Sequence, residues 1–257
     1  MCYKSVSLTY SKVHRLPSLD KVVVIIPTYN EIANIEKMLS TLHRLHPSLH
    51  VLIIDDGSPD GTAEVIRDFQ KKKTNLFLIE RQGKLGLGTA YIKGFTWALE
   101  KNYDAVVTMD CDFSHDPEAL PGLVSSIGVN DLVVGSRYVN GIRVINWPMQ
   151  RLLLSFFASV FARTVTGIPF LDATGGFNAY SWKALSSLKL DKVFSIGYAF
   201  QIELKYKIWS LGLPCVEYPI TFYERVQGKS KMSRKIIYEA VINVFRLRFK
   251  KIAGTLQ

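Results

Sequence analysis

Cysteine is scarce in this 257-residue chain: Cys2, Cys111 and Cys215 are odd in number, far apart, and form no Cys-X-X-Cys or Cys/His spacing. Neither a disulfide framework nor a zinc site is suggested, and a reducing compartment fits best. Long apolar runs are missing too. The longest, Leu152 to Ala162, is far shorter than the ~20 residues a spanning helix needs, and the opening MCYKSVSLTYSKVHRLPSLDK has no apolar h-region. The chain is therefore expected to be neither secreted nor integral. Internal repeats and low-complexity tracts are absent, which argues against solenoids and linkers. There is no Gly-X-Gly-X-X-Gly order and no Gly-Lys-Ser/Thr triplet, so neither dinucleotide nor P-loop binding is supported.

What is present is ordinary globular composition, 48% hydrophobic and 21% charged, with 32 basic against 22 acidic residues and a net charge of +10. That excess calls for an anionic partner or surface. A nucleic-acid binder is disfavoured, because zinc spacing, an RNP-like aromatic strand and a recognition helix are all missing. Runs rich in Val, Ile and Leu at Val22 to Ile26, Val51 to Ile54, Leu76 to Ile79, Ala105 to Met109 and Leu132 to Val134 read as buried parallel strands. Segments with helical spacing lie between them. This βαβα alternation predicts an α/β fold, an open doubly wound sheet with helices on both faces. Farther on, Arg151 to Thr166 and Gly197 to Leu211 read as helices and Val216 to Phe222 as a strand.

In such sheets ligands sit beyond the carboxyl ends of the strands. Three ends here are polar: Pro27-Thr28-Tyr29-Asn30-Glu31, Asp55-Asp56-Gly57-Ser58 and Asp110-Cys111-Asp112. The last is an Asp-X-Asp pair able to turn toward one divalent cation and the diphosphate it holds; the alternative is a solvated turn. Asp60 reads as the N-cap of the following helix, which leaves Asp56 for a ribose or base edge. Gly83, Gly86 and Gly88 read either as a flap beside a ligand, with Lys84 its charge, or as a plain flexible loop. Arg137, Arg151, Arg225, Lys229 and Lys231 suit phosphate oxygens. Nine basic residues and one acid lie between Arg225 and Lys251. Within that stretch Met232 to Phe249 sets Ile236, Ile237, Ala240, Val241, Val244 and Phe245 near one face. This is the pattern of a helix on an anionic membrane, or of one docked on the sheet with a solvated charged face.

Eight blocks in order, IIPTYNE (Ile25 to Glu31), DDGSPDGT (Asp55 to Thr62), KLGLGTAYIKG (Lys84 to Gly94), MDCDFSHDPE (Met109 to Glu118), GSRY (Gly135 to Tyr138), DATGGFNAY (Asp172 to Tyr180), GYAFQIEL (Gly197 to Leu204) and ITFYERVQGKSKM (Ile220 to Met232), resemble glycosyltransferase family 2 of the GT-A fold. Within it the chain is most similar to the dolichyl- and polyprenyl-phosphate mannosyltransferases. The resemblance implies a GT-A domain over residues 21–231, an N-terminal extension over 1–20 and a basic amphipathic tail over 232–257. It implies inverting transfer of mannose from GDP-mannose to a polyprenyl phosphate, dependent on Mg2+ or Mn2+. Pro27, Tyr29, Glu31, Ile54 and Asp56 would line the nucleotide pocket. Asp110, Cys111 and Asp112 would hold the nucleotide sugar and its metal, with Ser114 at a further ligand position where the family usually has glutamine or arginine. Arg137 would meet phosphates at the reaction centre, and Arg225 and Lys231 would close over the diphosphate. Asp112 and Arg137 are the expected catalytic residues. The implied location is the cytosolic face of a membrane, the endoplasmic reticulum in a eukaryote or the plasma membrane in a prokaryote, by peripheral docking or through a small membrane-protein partner. The rivals are a UDP-sugar transferase to polyprenyl phosphate, a glycan or a protein and, outside enzymes, a basic nucleic-acid- or membrane-binding module.

Overall fold

The structure, a computed structural model, describes residues 17–197, 199–224 and 234–252, with the side chains of 234–237 excepted. Chain order is β1 (Val22–Thr28), α1 (Ile32–Leu45), β2 (His50–Asp55), α2 (Thr62–Gln70), β3 (Leu76–Glu80), α3 (Leu87–Glu100), β4 (Ala105–Thr108), α4 (Leu120–Ser125), β5 (Leu132–Ser136), β6 (Val144–Ile145), α5 (Met149–Thr166), β7 (Asn178–Ser181), α6 (Trp182–Ser186), α7 (Ala199–Ser210), β8 (Cys215–Pro219), β9 (Phe222–Tyr223) and α8 (Arg234–Ile252). The main sheet has seven strands in the order β3-β2-β1-β4-β7-β5-β8, and β6 pairs with β9 beside it. All pairings in the main sheet are parallel except those of β7, which runs antiparallel to both β4 and β5.

Why the strands read as unbroken apolar runs is plain from the layers. Val23 and Ile25 face a core shared with α3, α5, α6, α7 and α8, whereas Val22, Val24 and Ile26 face one shared with α1, α2 and α4. Both faces are covered, so alternation with polar residues is lost. All five sequence-expected strands of the first half are present, as are the three expected helices. β7 is an addition that the sequence reading lacks. Another difference lies at Val216 to Phe222, where one expected strand is two: β5 ends at Ser136 opposite Pro219, and beyond it the chain leaves to pair Phe222 and Tyr223 with β6.

The antiparallel strand decides where the site forms. Thr108 of β4 lies opposite Asn178 of β7, and Val134 of β5 opposite the same residue. The loop that enters β7 therefore arrives at the edge where β4 and β5 finish. Asp110–Asp112, Arg137 and Gly175–Gly176 meet there.

The glycine loop is tied down at Gly86 and Gly88, whereas a Cβ on Gly83 would have nothing within 4 Å. Gly88 N–H donates to the Ile196 carbonyl at 2.8 Å, and Arg81 ties the loop through Thr89 Oγ1 (2.7 Å) and the Gly86 carbonyl (3.2 Å). A Cβ on Gly88 would lie 2.5 Å from the Ser195 carbonyl oxygen. Gly88→Ala is expected to force α3 away from that segment and to cost about 1–3 kcal/mol. A thermal melt indistinguishable from that of the unaltered protein would contradict the close approach.

Candidate active site

At the end of β2, Asp55 is a structural acid. Its carboxylate accepts from Thr28 Oγ1 (2.8 Å), Ser58 N–H (2.8 Å) and Ser58 Oγ (2.7 Å), which locks the turn to β1. Asp56 pairs with Arg81, whose Nε donates to it at 2.7 Å. Burial raises the Asp56 carboxyl above its ordinary range despite that partner. Asp60 caps more than the expected helix: it accepts from Thr62 N–H at the start of α2 and from Ile32 N–H at the start of α1, each at 3.1 Å. Tyr29 lies under the Lys84 ammonium, 5.1 Å from the ring centre, and Glu31 accepts from Asn34 at 2.9 Å. Pro27, next to last in β1, is half-buried, and Ile54 is fully buried within the core layer.

The Asp110-Cys111-Asp112 turn is held from within. Phe113 takes the left-handed conformation at φ 60°, and the Ser114 N–H (3.1 Å) and Oγ (2.6 Å) both donate to Asp112 Oδ1. Cys111 points into the core, whereas the Asp110 side chain is 43% exposed. His115, unremarked in the sequence reading, accepts the Asp110 N–H on Nδ1 at 3.0 Å and stacks on Phe177 at 4.9 Å. Burial lowers its pKa, and the engaged Nδ1 fixes the neutral Nε2–H form.

Across from this turn Arg137 makes a bidentate fork with Asp172: Nε to Oδ2 and Nη2 to Oδ1, both at 2.6 Å, with Nη2 also donating to Thr174 Oγ1 at 2.9 Å. Burial would raise the Asp172 carboxyl, but the guanidinium overrides it and holds the pKa at about 2. Lys205, fully buried on α7, donates to the carbonyls of Asp172 (3.1 Å), Ala173 (3.1 Å) and Gly175 (2.7 Å), and burial lowers its pKa to about 8. Glu217 of β8 accepts the Leu171 and Asp172 N–H groups at 2.8 and 2.9 Å. The loop carrying Thr174 to Gly176 is thus bound on every side. The block Asp172 to Tyr180 marks the loop in sequence, but nothing there announces its anchors, which come from three separate elements.

A cavity of ≈ 360 Å3 opens onto these groups. Its polar end is formed by Asp110, Ser114, His115, Arg137, Arg151 and Gln201, and its walls by Leu154, Phe157, Ala158 and Phe161 of α5 with Ala240, Val241 and Val244 of α8. Arg151 pairs with Glu224 and lies 4.3 Å from the Trp147 ring centre. The structure thus brings Asp110, Ser114 and Arg137 to one cavity, while Tyr29, Glu31 and Asp56 stand at the neighbouring ends of β1 and β2. Arg225, Lys229 and Lys231 lie outside the described residues.

Two carboxylates two residues apart suit a divalent cation of the magnesium or manganese type, which takes one or two protein carboxylates and completes its shell with substrate phosphates and water. Among the described residues no group of three or more His, Cys, Asp or Glu stands together that could hold a metal ion.

Comparison with known proteins defines the class first: this is a glycosyltransferase. Residues 23–188 match the model of glycosyl transferase family 2, and the chain belongs to that family. The undecaprenyl-phosphate mannosyltransferase of Micrococcus luteus is 43% identical over 226 residues, covering 88% of this chain and 93% of the relative. The polyprenol monophosphomannose synthase of Mycolicibacterium smegmatis is 42% identical over 87% of this chain and 85% of its own length. Among solved structures, glucosyl-3-phosphoglycerate synthase of Mycobacterium tuberculosis, in complex with Mn2+, UDP and glucosyl-3-phosphoglycerate, matches with a TM-score of 0.64 over 88% of this chain and 79% of that one; at 22% identity the likeness is one of fold.

Proposed function

We propose that the chain transfers mannose from GDP-mannose to a polyprenyl phosphate with inversion at the anomeric carbon, assisted by Mg2+ or Mn2+. The observation that supports this most is the two-ended cavity: arginines and an aspartate at one end, apolar helix walls along the rest. A lipid phosphate has the same two ends. The relatives' names support mannose as the sugar and polyprenyl phosphate as the acceptor.

A phosphate monoester has a second pKa near ~6 and reaches neutral pH largely as a dianion, so the nucleophile needs no general base. His115 has none to offer, because its Nδ1 already accepts a backbone N–H. Its work is to hold the Asp110 backbone in place. Arg137 enters the cavity already oriented by Asp172, with Nη1 the guanidinium nitrogen that neither Asp172 nor Thr174 engages, and it fixes the acceptor phosphate at little entropic cost. Asp110 and Asp112 would hold the cation, which when bound supplies positive charge to the leaving diphosphate. Arg225 and Lys231 are the proposed closing cations. A transfer assay crossing GDP-mannose and UDP-glucose with two polyprenyl phosphates tests the reading. Label should enter lipid from GDP-mannose alone; label from UDP-glucose alone, or none in lipid, contradicts it.

We further place the enzyme peripherally on the cytosolic face of a membrane. No helix among the described residues is long and apolar enough to cross one. α5 instead buries its small residues Ser159, Ala162 and Thr166 and turns Leu153, Phe156 and Phe157 outward, Phe157 being 60% exposed. On α8 the buried residues are Asn243, Val244 and Leu247; of the face expected in sequence Val244 is buried, Ala240 and Val241 line the cavity and Phe245 is exposed, as are Ile242 and Phe249, while the side chains of Ile236 and Ile237 lie outside the described ones. Exposed aromatic rows flanked by Arg246, Arg248 and Lys250 fit an anionic lipid surface. Exchanging Phe157 and Phe249 together for serine is expected to weaken sedimentation with acidic vesicles by at least about 10-fold, each ring being worth roughly 1.5–3 kcal/mol when buried. Unaltered sedimentation would remove this face from the contact.

A further inference from the structure

Helix α7 is buried along nearly its whole length, yet it carries a polar residue at every second position from Gln201 to Lys207. Most have full partnerships. Glu203 accepts the Ser195 N–H at 2.9 Å, Lys205 binds three carbonyls, and Lys207 donates to the Lys192 carbonyl at 3.0 Å. Gln201 does not. It is 2% exposed and lines the cavity, and its Nε2 has no hydrogen-bond partner among the described residues.

Its orientation is set by a neighbour. Asn178 Nδ2 donates to the Gly175 carbonyl and to Gln201 Oε1, both at 3.1 Å. Only an NH2 group can serve both acceptors, so the Asn178 amide has one allowed direction, and the Gln201 oxygen must face it. The Gln201 NH2 is left pointing away from Asn178. Nothing covers it on the glycine side: a Cβ on Gly176 would lie 3.6 Å from Nε2, in contact with it. Leaving a buried donor unmet costs about 1–3 kcal/mol, which is recovered when a ligand oxygen completes it.

We propose that the Gln201 amide reads a hydroxyl of the sugar being transferred and is a determinant of sugar specificity; this rests on the sugar-donor reading above and adds to it the residue that selects the sugar. The cations at the same end of the cavity, Arg137 and Arg151, are matched to phosphate oxygens, whereas a neutral amide donor is matched to a neutral oxygen. A site built to hydrogen-bond a hydroxyl discriminates strongly against the analogue that lacks it.

The test uses the full chain with GDP-mannose and its 2-, 3-, 4- and 6-deoxy analogues, comparing the unaltered enzyme with Gln201→Glu and Gln201→Leu. Glutamate keeps an acceptor for Asn178 and deletes the donor; leucine deletes both. With the unaltered enzyme one deoxy donor is expected to lose about 10- to 100-fold in kcat/KM, and in both variants that gap should shrink to about 2-fold or less. GDP affinity, measured by calorimetry, should stay as it was. Variants that keep the original pattern across the four analogues overturn the proposal. So does a loss confined to the KM for lipid phosphate, which would mark Gln201 as an acceptor residue, or a parallel loss of GDP binding, which would mark a structural one. An unaltered enzyme that transfers nothing from GDP-mannose contradicts the underlying reading as well, so the two failures are distinct.

Discussion

Asp172→Asn is expected to destabilise the fold by about 3–5 kcal/mol and to abolish transfer, because it leaves the Arg137 guanidinium buried with no counter-charge. The replacement keeps the shape of the side chain, so the loss isolates charge. Asp172 also accepts the N–H groups of Arg137 (3.0 Å) and Gly175 (2.9 Å), so the same carboxylate shapes the loop that frames the cavity. The pH dependence has a definite sign. The folded-state pKa of about 2 lies below the ordinary 3.8, so the pair's contribution is present above pH 3.8 and is lost as pH falls toward 2. That displacement corresponds to roughly 2 kcal/mol. Urea unfolding at pH 7, 4 and 2 checks both parts: the gap between the unaltered protein and the variant should be widest at pH 7 and narrow below pH 4. A gap independent of pH would contradict the ion pair.

Asp112→Ala should do the reverse, leaving the fold nearly intact while removing activity. Two hydrogen bonds from Ser114 are lost, worth about 1–2 kcal/mol together. Loss of a carboxylate from the cation site is expected to lower kcat by at least about 10^3-fold, since the charge on the leaving diphosphate is then poorly met. Far-UV circular dichroism and a thermal melt establish folding, and turnover with GDP-mannose and manganese reads the effect. A folded variant with near-normal turnover would remove Asp112 from the cation's shell.

The two residues differ in how readable they were. Asp112 stands at the end of a Val-rich run, where acids conflict with the apolar pattern, and position alone made it a candidate. Asp172 opens the DATGGFNAY block, but nothing in the block tells what its carboxylate pairs with. Its partners Arg137, Lys205 and Glu217 are distant in the chain and converge through the antiparallel insertion of β7. That strand escaped notice because Asn178-Ala179-Tyr180-Ser181 is short and half polar, although all four residues are buried. Ser181 Oγ donates to Asp131 at 2.7 Å and the Asn178 NH2 donates to Gly175 and Gln201, so the strand's polarity belongs to internal bonding and not to solvent, while Asn178 Oδ1 has no partner among the described residues. Gln201 was hidden for a related reason, since a helix buried nearly all round has no polar face to read. On α5 the composition was legible and the facing was not. Its large aromatic residues look like core, but the fully buried positions of α5 are serine, alanine and threonine; Phe161 packs at the margin of the core, and Phe156 and Phe157 are turned out.

The most direct test is a crystal soaked with Mn2+ and GDP-mannose. The cation and diphosphate should appear beside Asp110 and Asp112, with the base toward the ends of β1 and β2 and the mannose toward Gly176 and Gln201. Donor density elsewhere on the molecule, or a filled nucleotide site with no cation near residues 110–112, would contradict the account.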